Sequence, residues 1–423
     1  MIAPARRTGA RTTRSLGTQA VALAAGTAVA QVIVAVMYVL TARDAGPASY
    51  GQLAAAIALG GSAMGFFDFG TSSYWIRERA SGRMDVDDFS ARVTKKIAIA
   101  SFLFVVALAV CVVWFPSFIP ACAIFLAGTA GQAALVPLRA ARRGEIVALL
   151  SITERASALA VFLLLLLCGV DQLDALWISL VAGTLIMGAA AYLSARDAGR
   201  ASFLWRRRSN PWSGAKFYGL SSVASSGQQL DLPVLTAVAG ASTAGIYGGV
   251  NRWTQPMGVL ATAFSSASAP FIAHAQDWKT TRRMVTRASW LLILAVGVCI
   301  ALALSAPWIV ALLLGPEFAT SAPVLQWLAV GTIPAILNQP LAAALQARRY
   351  DHLVAGVYLG SVVVQLGLVA WLGLALGALG AALAFFILQI LMLVSLSTCV
   401  AVAVRKDAAT AERTRLSTTG PEN

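Results

Sequence analysis

Five ionisable residues stand inside long apolar runs of this chain: Asp68, Glu154, Arg155, Asp231 and Arg252. A charge at the centre of a bilayer costs about 2.5–3.5 kcal/mol or more, so such residues face a cavity or one another. Asp68 lies nine residues before Arg77, and Arg155 a similar number above the start of its own run, which puts the two at similar depth. Asp231 and Arg252 lie at matching depth toward the opposite ends of theirs. Two compatible readings follow. Asp68 with Arg155 and Asp231 with Arg252 form structural pairs, or all four line a cleft, the arginines meeting an anion and the carboxylates carrying a coupling cation. Glu154 projects about 100° from Arg155 around a helix and so serves another surface. Two arginines against three carboxylates weaken the picture of a purely basic anion pocket.

Around Asp231 stand Gly227, Gln228, Gln229 and Pro233, the makings of a bent gate element. Pro256, Pro270, Pro334 and Pro340 add further breakers; proline frees a carbonyl and bends a helix. Ordinary bundle packing through Gly, Ala and Ser is the alternative for each. His274 and His352 have no companion ligands in sequence, so no metal site and no cofactor is expected. The five cysteines lie in or beside apolar runs and pack as small hydrophobes; only Cys111 and Cys122 are placed to meet. A phosphate-cradling G-x-x-x-x-G-K-[ST] string and a catalytic constellation are both missing, which argues against an enzyme.

The elements that position these residues are helices in lipid. Of 423 residues 58% are hydrophobic and 12% charged, about half the charged share of a soluble domain. The mean hydropathy is +0.76. Apolar stretches of about twenty residues recur, too long and too continuous for barrel strands. The expected spans are 16–40, 51–76, 97–115, 118–138, 146–168, 174–194, 214–240, 244–272, 288–312, 319–346, 353–376 and 378–404, with a turn at Gly377. In this arrangement 29 of the 32 basic residues fall in alternate loops and at the two ends. The net charge of +14 therefore reflects the positive-inside rule rather than nucleic acid. The expected location is a bacterial inner membrane with both termini cytoplasmic. Loops on the other side are short, unlike those of membrane polymerases or glycosyltransferases.

Two local matches recur at nearly constant offset. Tyr50-Gly51 corresponds to Tyr247-Gly248, and Ala141-Arg142-Arg143 to Ala347-Arg348-Arg349. They predict parallel six-helix halves around a central cleft. The expected organisation is an all-α polytopic membrane protein with lobes 1–194 and 214–404. A basic linker at 195–213 lies along the headgroups, and a cytoplasmic tail spans 405–423.

Several stretches carry a resemblance to a known family: G-P-A-S-Y-G-Q-L from Gly46, D-F-G from Asp68, Arg77-Glu78, Asp231, A-G-I-Y from Ala244, and Arg252. G-P-E-F-A-T-S-A-P-V-L from Gly315, Asn338, the second Ala-Arg-Arg and Leu379 to Ala382 extend it. The chain resembles the polysaccharide-biosynthesis flippases of the multidrug/oligosaccharidyl-lipid/polysaccharide exporter superfamily over about residues 15–400. The resemblance implies two lobes that move an undecaprenyl-diphosphate-linked oligosaccharide between leaflets by alternating access. It implies Arg155 and Arg252 as anion contacts and Asp68 and Asp231 as polar or cation-coupling groups. Gln228, Gln229, Pro233, Glu154 and Asn338 are further cavity or gate candidates. Implied partners are the lipid-linked glycan, membrane lipids, and glycosyltransferases and a polymerase of the same pathway. The chain departs from the lipid II flippase branch, which has fourteen spans. A cation-coupled efflux carrier and a non-transporting scaffold of a glycan assembly complex remain alternatives.

Overall fold

A computed structural model describes residues 16–205, 209–254, 278–347 and 350–418. Among the described residues every regular element is helical. The first half runs α1 (Leu16–Asp68), α2 (Thr71–Ala80), α3 (Val86–Trp114), α4 (Ile119–Ala140), α5 (Gly144–Leu167) and α6 (Gln172–Ser194). The second runs α7 (Lys216–Gln228), α8 (Asp231–Ala239), α9 (Ala241–Asn251), α10 (Trp278–Leu313), α11 (Ser321–Ala347) and α12 (Asp351–Thr418). Seven of the described helices are long and apolar enough to cross a membrane. An eighth is added if 31–68 and α2, bent by 46°, are taken together. The protein is an all-α, multi-pass membrane protein.

Two of the longest helices hide turns. Gly46, at φ 70°, breaks α1 before Pro47, and Gly377, at φ 62°, breaks α12 where a turn was expected. L-residues with a Cβ avoid this left-handed region, so glycine marks both reversals. The arms of α1, 16–45 and 47–68, correspond to the first two expected spans.

Three boundaries depart from expectation, each for a local reason. The second span, expected over 51–76, stops at Asp68. Phe69 and Gly70 take positive φ, and the Asp68 carboxylate accepts from Thr71 Oγ1, Ser72 Oγ and the Ser72 N–H at 3.1, 2.6 and 3.3 Å. A carboxylate that satisfies the first turn of a helix starts α2 afresh. The third helix starts at Val86 rather than 97, because the Asp85 side chain accepts the Asp88 N–H at 2.5 Å. Its first turns therefore project past the apolar run. The seventh span is two helices, parted at Gln229 and Leu230. Pro233 is the third residue of α8, where a missing N–H leaves no helical bond unmade. Of the eighth span α9 and the turn Arg252–Thr254 are described; Pro256, Pro270 and His274 lie outside the described residues.

The described parts of the linker, 195–205 and 209–213, form a strap over the first turns of α3. Ser90 Oγ accepts from Ser202 N–H at 3.1 Å, and Thr94 Oγ1 accepts from Leu204 N–H at 3.2 Å. Arg92 and Lys95 donate to the carbonyls of Ser213 and Ser209 at 2.9 and 2.8 Å. Arg79 closes its start by donating to the carbonyls of Ala198 and Gly199 at 2.9 and 3.2 Å. Each bond is worth about 0.5–1.5 kcal/mol net, so the set is enough to hold an irregular segment in place.

Candidate functional site

The 47–68 arm of α1 packs on α4 in its middle and meets elements of the second half near both ends. At the end away from the basic loops it crosses α9 at backbone contact. A Cβ on Gly51 would lie 1.9 Å from the Ala241 carbonyl, and one on Gly245 would lie 1.8 Å from that of Pro47. Only glycine allows so close an approach. Tyr50 and Tyr247, the repeated tyrosines, are both fully buried beside this crossing, Tyr50 edge-on to Phe318 with centroids 6.4 Å apart.

At the basic end the same arm and α2 meet α7. Ser222 Oγ donates to the Gly65 carbonyl at 3.1 Å, and Arg77 donates to Tyr218 Oη at 2.8 Å. Trp212 of the strap donates to the Phe67 carbonyl at 2.9 Å. The halves are thus in contact at both ends of the arm. Nearby, Arg83 donates to the half-buried Glu78 carboxylate at 2.7 Å.

Two groups of charges lie along this seam. In the basic-end group Lys96 Nζ lies 2.5 Å from Asp68 Oδ1 and 2.6 Å from Thr71 Oγ1, with Trp75 beneath it at 4.9 Å from the ring centroid. Lys96 is 1% exposed, so nearly its whole charge is answered by Asp68. The expected Asp68–Arg155 pair is not formed. Arg155 instead reaches its own neighbour, Glu154, at 3.7 Å, while Glu154 also accepts from Thr184 Oγ1 at 3.1 Å. Glu154 reaches Thr184 of α6, but it does not serve a surface apart from Arg155 as expected, because two long side chains on adjacent residues can still meet.

In the second group Asp231 Oδ2 accepts from Tyr247 Oη at 2.9 Å, and Oδ1 accepts the Leu232 N–H at 2.7 Å. Arg252 forms no ion pair with Asp231; its guanidinium stacks on Tyr38, 3.8 Å from the ring centroid. Arg252 lines an apolar groove of about 480 Å³ with Gln31, Val36, Leu40, Arg43 and Leu313, between the 16–45 arm and α10. Among the described residues neither Arg43 nor Arg252 has a carboxylate within ion-pair distance. Two cations in an apolar groove suit an anion carried on a lipid.

The remaining candidates are spread out. The Gln228 carbonyl accepts from Gln365 at 3.5 Å, and the Gln229 side-chain oxygen lies beside Gly61 of α1. Asn338 is buried between α11 and α12 and donates to the Gln389 carbonyl and side-chain oxygen at 3.2 and 3.0 Å, apart from both charge groups. Lys96, Tyr38, Tyr50 and Arg43 escaped the sequence reading. Lys96 falls by span bounds in the loop before the third expected span; Tyr50 carries a signal, as half of the repeat.

The profile of a family described as polysaccharide biosynthesis protein matches residues 16–276. No curated protein sequence matches the chain. Among solved structures, the lipid II flippase MurJ in an inward closed conformation superposes with a TM-score of 0.72 at 13% identity, covering 95% of this chain and 94% of that one. An inward-facing MATE-family multidrug resistance transporter of the MOP superfamily gives 0.65 at 15% identity, over 90% and 96% of the two chains. The MATE multidrug transporter DinF-BH in complex with R6G also gives 0.65 at 15%, over 94% and 98%. The fold is that of these transporters.

Proposed function

Because this chain belongs to the polysaccharide biosynthesis protein family, we propose that it moves an undecaprenyl-diphosphate-linked oligosaccharide from the inner to the outer leaflet by alternating access. The observation that carries this is the groove holding Arg43 and Arg252. Its walls are apolar enough for a polyprenyl chain, and its two cations suit a diphosphate. A planar guanidinium offers paired donors to phosphate oxygens. With Arg252 resting on Tyr38, its orientation is set before the lipid arrives. Glycosyltransferases and a polymerase would supply and consume such a lipid.

In this scheme the arginines meet the diphosphate. Asp68, already neutralised by Lys96, leaves the coupling-cation role to Asp231, and Arg155 is a secondary contact held by Glu154. Exchange between leaflets requires the two crossings of the 47–68 arm to open in turn.

The test is transport by the purified protein in liposomes, with a fluorescent polyprenyl-diphosphate oligosaccharide whose exposure is read by an impermeant quencher. Flipping above that of empty liposomes, reduced at least about tenfold in Arg252→Gln by loss of a charged hydrogen bond, is expected. Absence of flipping by folded protein rejects the proposal in favour of a scaffold, and export of a cationic dye instead would favour an efflux carrier.

A further inference from the structure

A second groove, of about 410 Å³, lies on the basic face of the first half, away from the seam. Its walls are Val93 and Ile97 of α3 and Ala134 and Pro137 of α4, with Tyr192 at the end of α6 and the strap as its roof. The strap contributes two side chains of opposite character. Arg200 lies over the Tyr192 ring at 4.8 Å from its centroid and forms no ion pair with any described residue. Phe203 is 86% exposed, although it sits on the rim of this apolar slot.

The depth of the groove is set by its surroundings. Ser90 to Lys95 bind the strap and belong to the polar boundary, whereas Phe102, one to two turns further along α3, is exposed on a wholly apolar face. At about 1.5 Å per residue the groove straddles the step from headgroup to hydrocarbon. Among the described residues no carboxylate lines it, and the strap continues in sequence into Trp205-Arg206-Arg207-Arg208. An exposed aromatic residue and a guanidinium without an ion pair at this depth are the chemistry of an anionic lipid surface.

We propose that this groove binds one anionic phospholipid of the leaflet on the basic face, an acyl chain between α3, α4 and Tyr192 and its phosphate on Arg200. Phe203 then lies against acyl carbon rather than water, and the lipid fastens the strap to the first half. The same strap delivers Trp212 to the seam at Phe67, so lipid occupancy bears on how firmly the basic end is closed.

Native mass spectrometry of the full chain, with added phosphatidylglycerol or phosphatidylcholine, tests this directly. Phosphatidylglycerol should be retained in preference, with occupancy falling about fivefold in Arg200→Gln, the loss of one basic contact at an anionic surface, and recovering in Arg200→Lys. Ala134→Trp, which fills the slot, should lower retention of both lipids; unaltered thermal unfolding of Arg200→Gln keeps the result interpretable if Ala134→Trp does not fold. Equal retention by wild type and Arg200→Gln, or equal retention of both lipids by wild type, would overturn the proposal. So would displacement of phosphatidylglycerol by equimolar polyprenyl phosphate, which would reassign the groove to the isoprenoid carrier.

Discussion

Lys96 of α3 and Asp68 at the end of α1 form an ion pair at 2.5 Å, with the ammonium buried and the carboxylate also starting α2. Removing one partner of such a pair leaves an unanswered charge and costs about 3–5 kcal/mol, whereas replacing both is far milder. Lys96→Met and Asp68→Asn should each lower the unfolding temperature in detergent, and the double variant should recover much of the loss. Additive losses in the double variant would mean that the two charges act independently.

Asp231 has no cation within ion-pair distance among the described residues; its partners are Tyr247 Oη and the Leu232 N–H. An asparagine keeps the size; its Oδ1 can accept the Leu232 N–H while its amide donates to Tyr247 Oη, whose hydroxyl also accepts. Asp231→Asn should therefore fold normally and lose the dependence of transport on a cation gradient. Retained gradient dependence would remove Asp231 from coupling.

Gly51 admits no side chain while α1 and α9 are crossed. Gly51→Leu must push the helices apart or cost about 1–3 kcal/mol in strain. A cysteine placed at Ala244, now fully buried, should react faster with an impermeant maleimide in the Gly51→Leu background. Unchanged labelling with normal protein levels would show that this crossing does not open.

Cys111 and Cys122 are free thiols with sulfurs 3.7 Å apart across the α3–α4 turn. Copper-phenanthroline with oxygen should remove two protons and two electrons from the pair and join it. Two maleimide-reactive thiols of the five would be lost, and none of that pair in Cys111→Ser, where only Cys122 remains. Failure to join would mean that the turn cannot bring the sulfurs to bonding distance of about 2 Å.

The spans were legible because lipid demands long apolar runs, and those runs can be read one segment at a time. Glycine at the reversals was legible too, as at Gly377, since the backbone conformation there is local. The repeat also had physical content. Tyr50 and Tyr247, matched by spacing alone, both lie beside the same helix crossing. The break at Phe69-Gly70 was missed, whereas the one at Gln229-Leu230 falls where Gly227, Gln228, Gln229 and Pro233 had pointed to a bend.

The partners of the buried charges were not legible. Depth along a helix is set by counting residues, and it did match Asp68 with Arg155; azimuth and lateral neighbours are set by packing, and they gave Asp68 to Lys96 and Arg155 to Glu154. The same holds for Arg252, which spacing paired with Asp231 and packing set on Tyr38. Sequence alone determined that this chain lives in a membrane as apolar helices, because hydrophobic transfer acts on each segment independently. Tertiary structure decided which charges meet, since an ion pair needs a few ångströms of proximity that only the packing of whole helices creates.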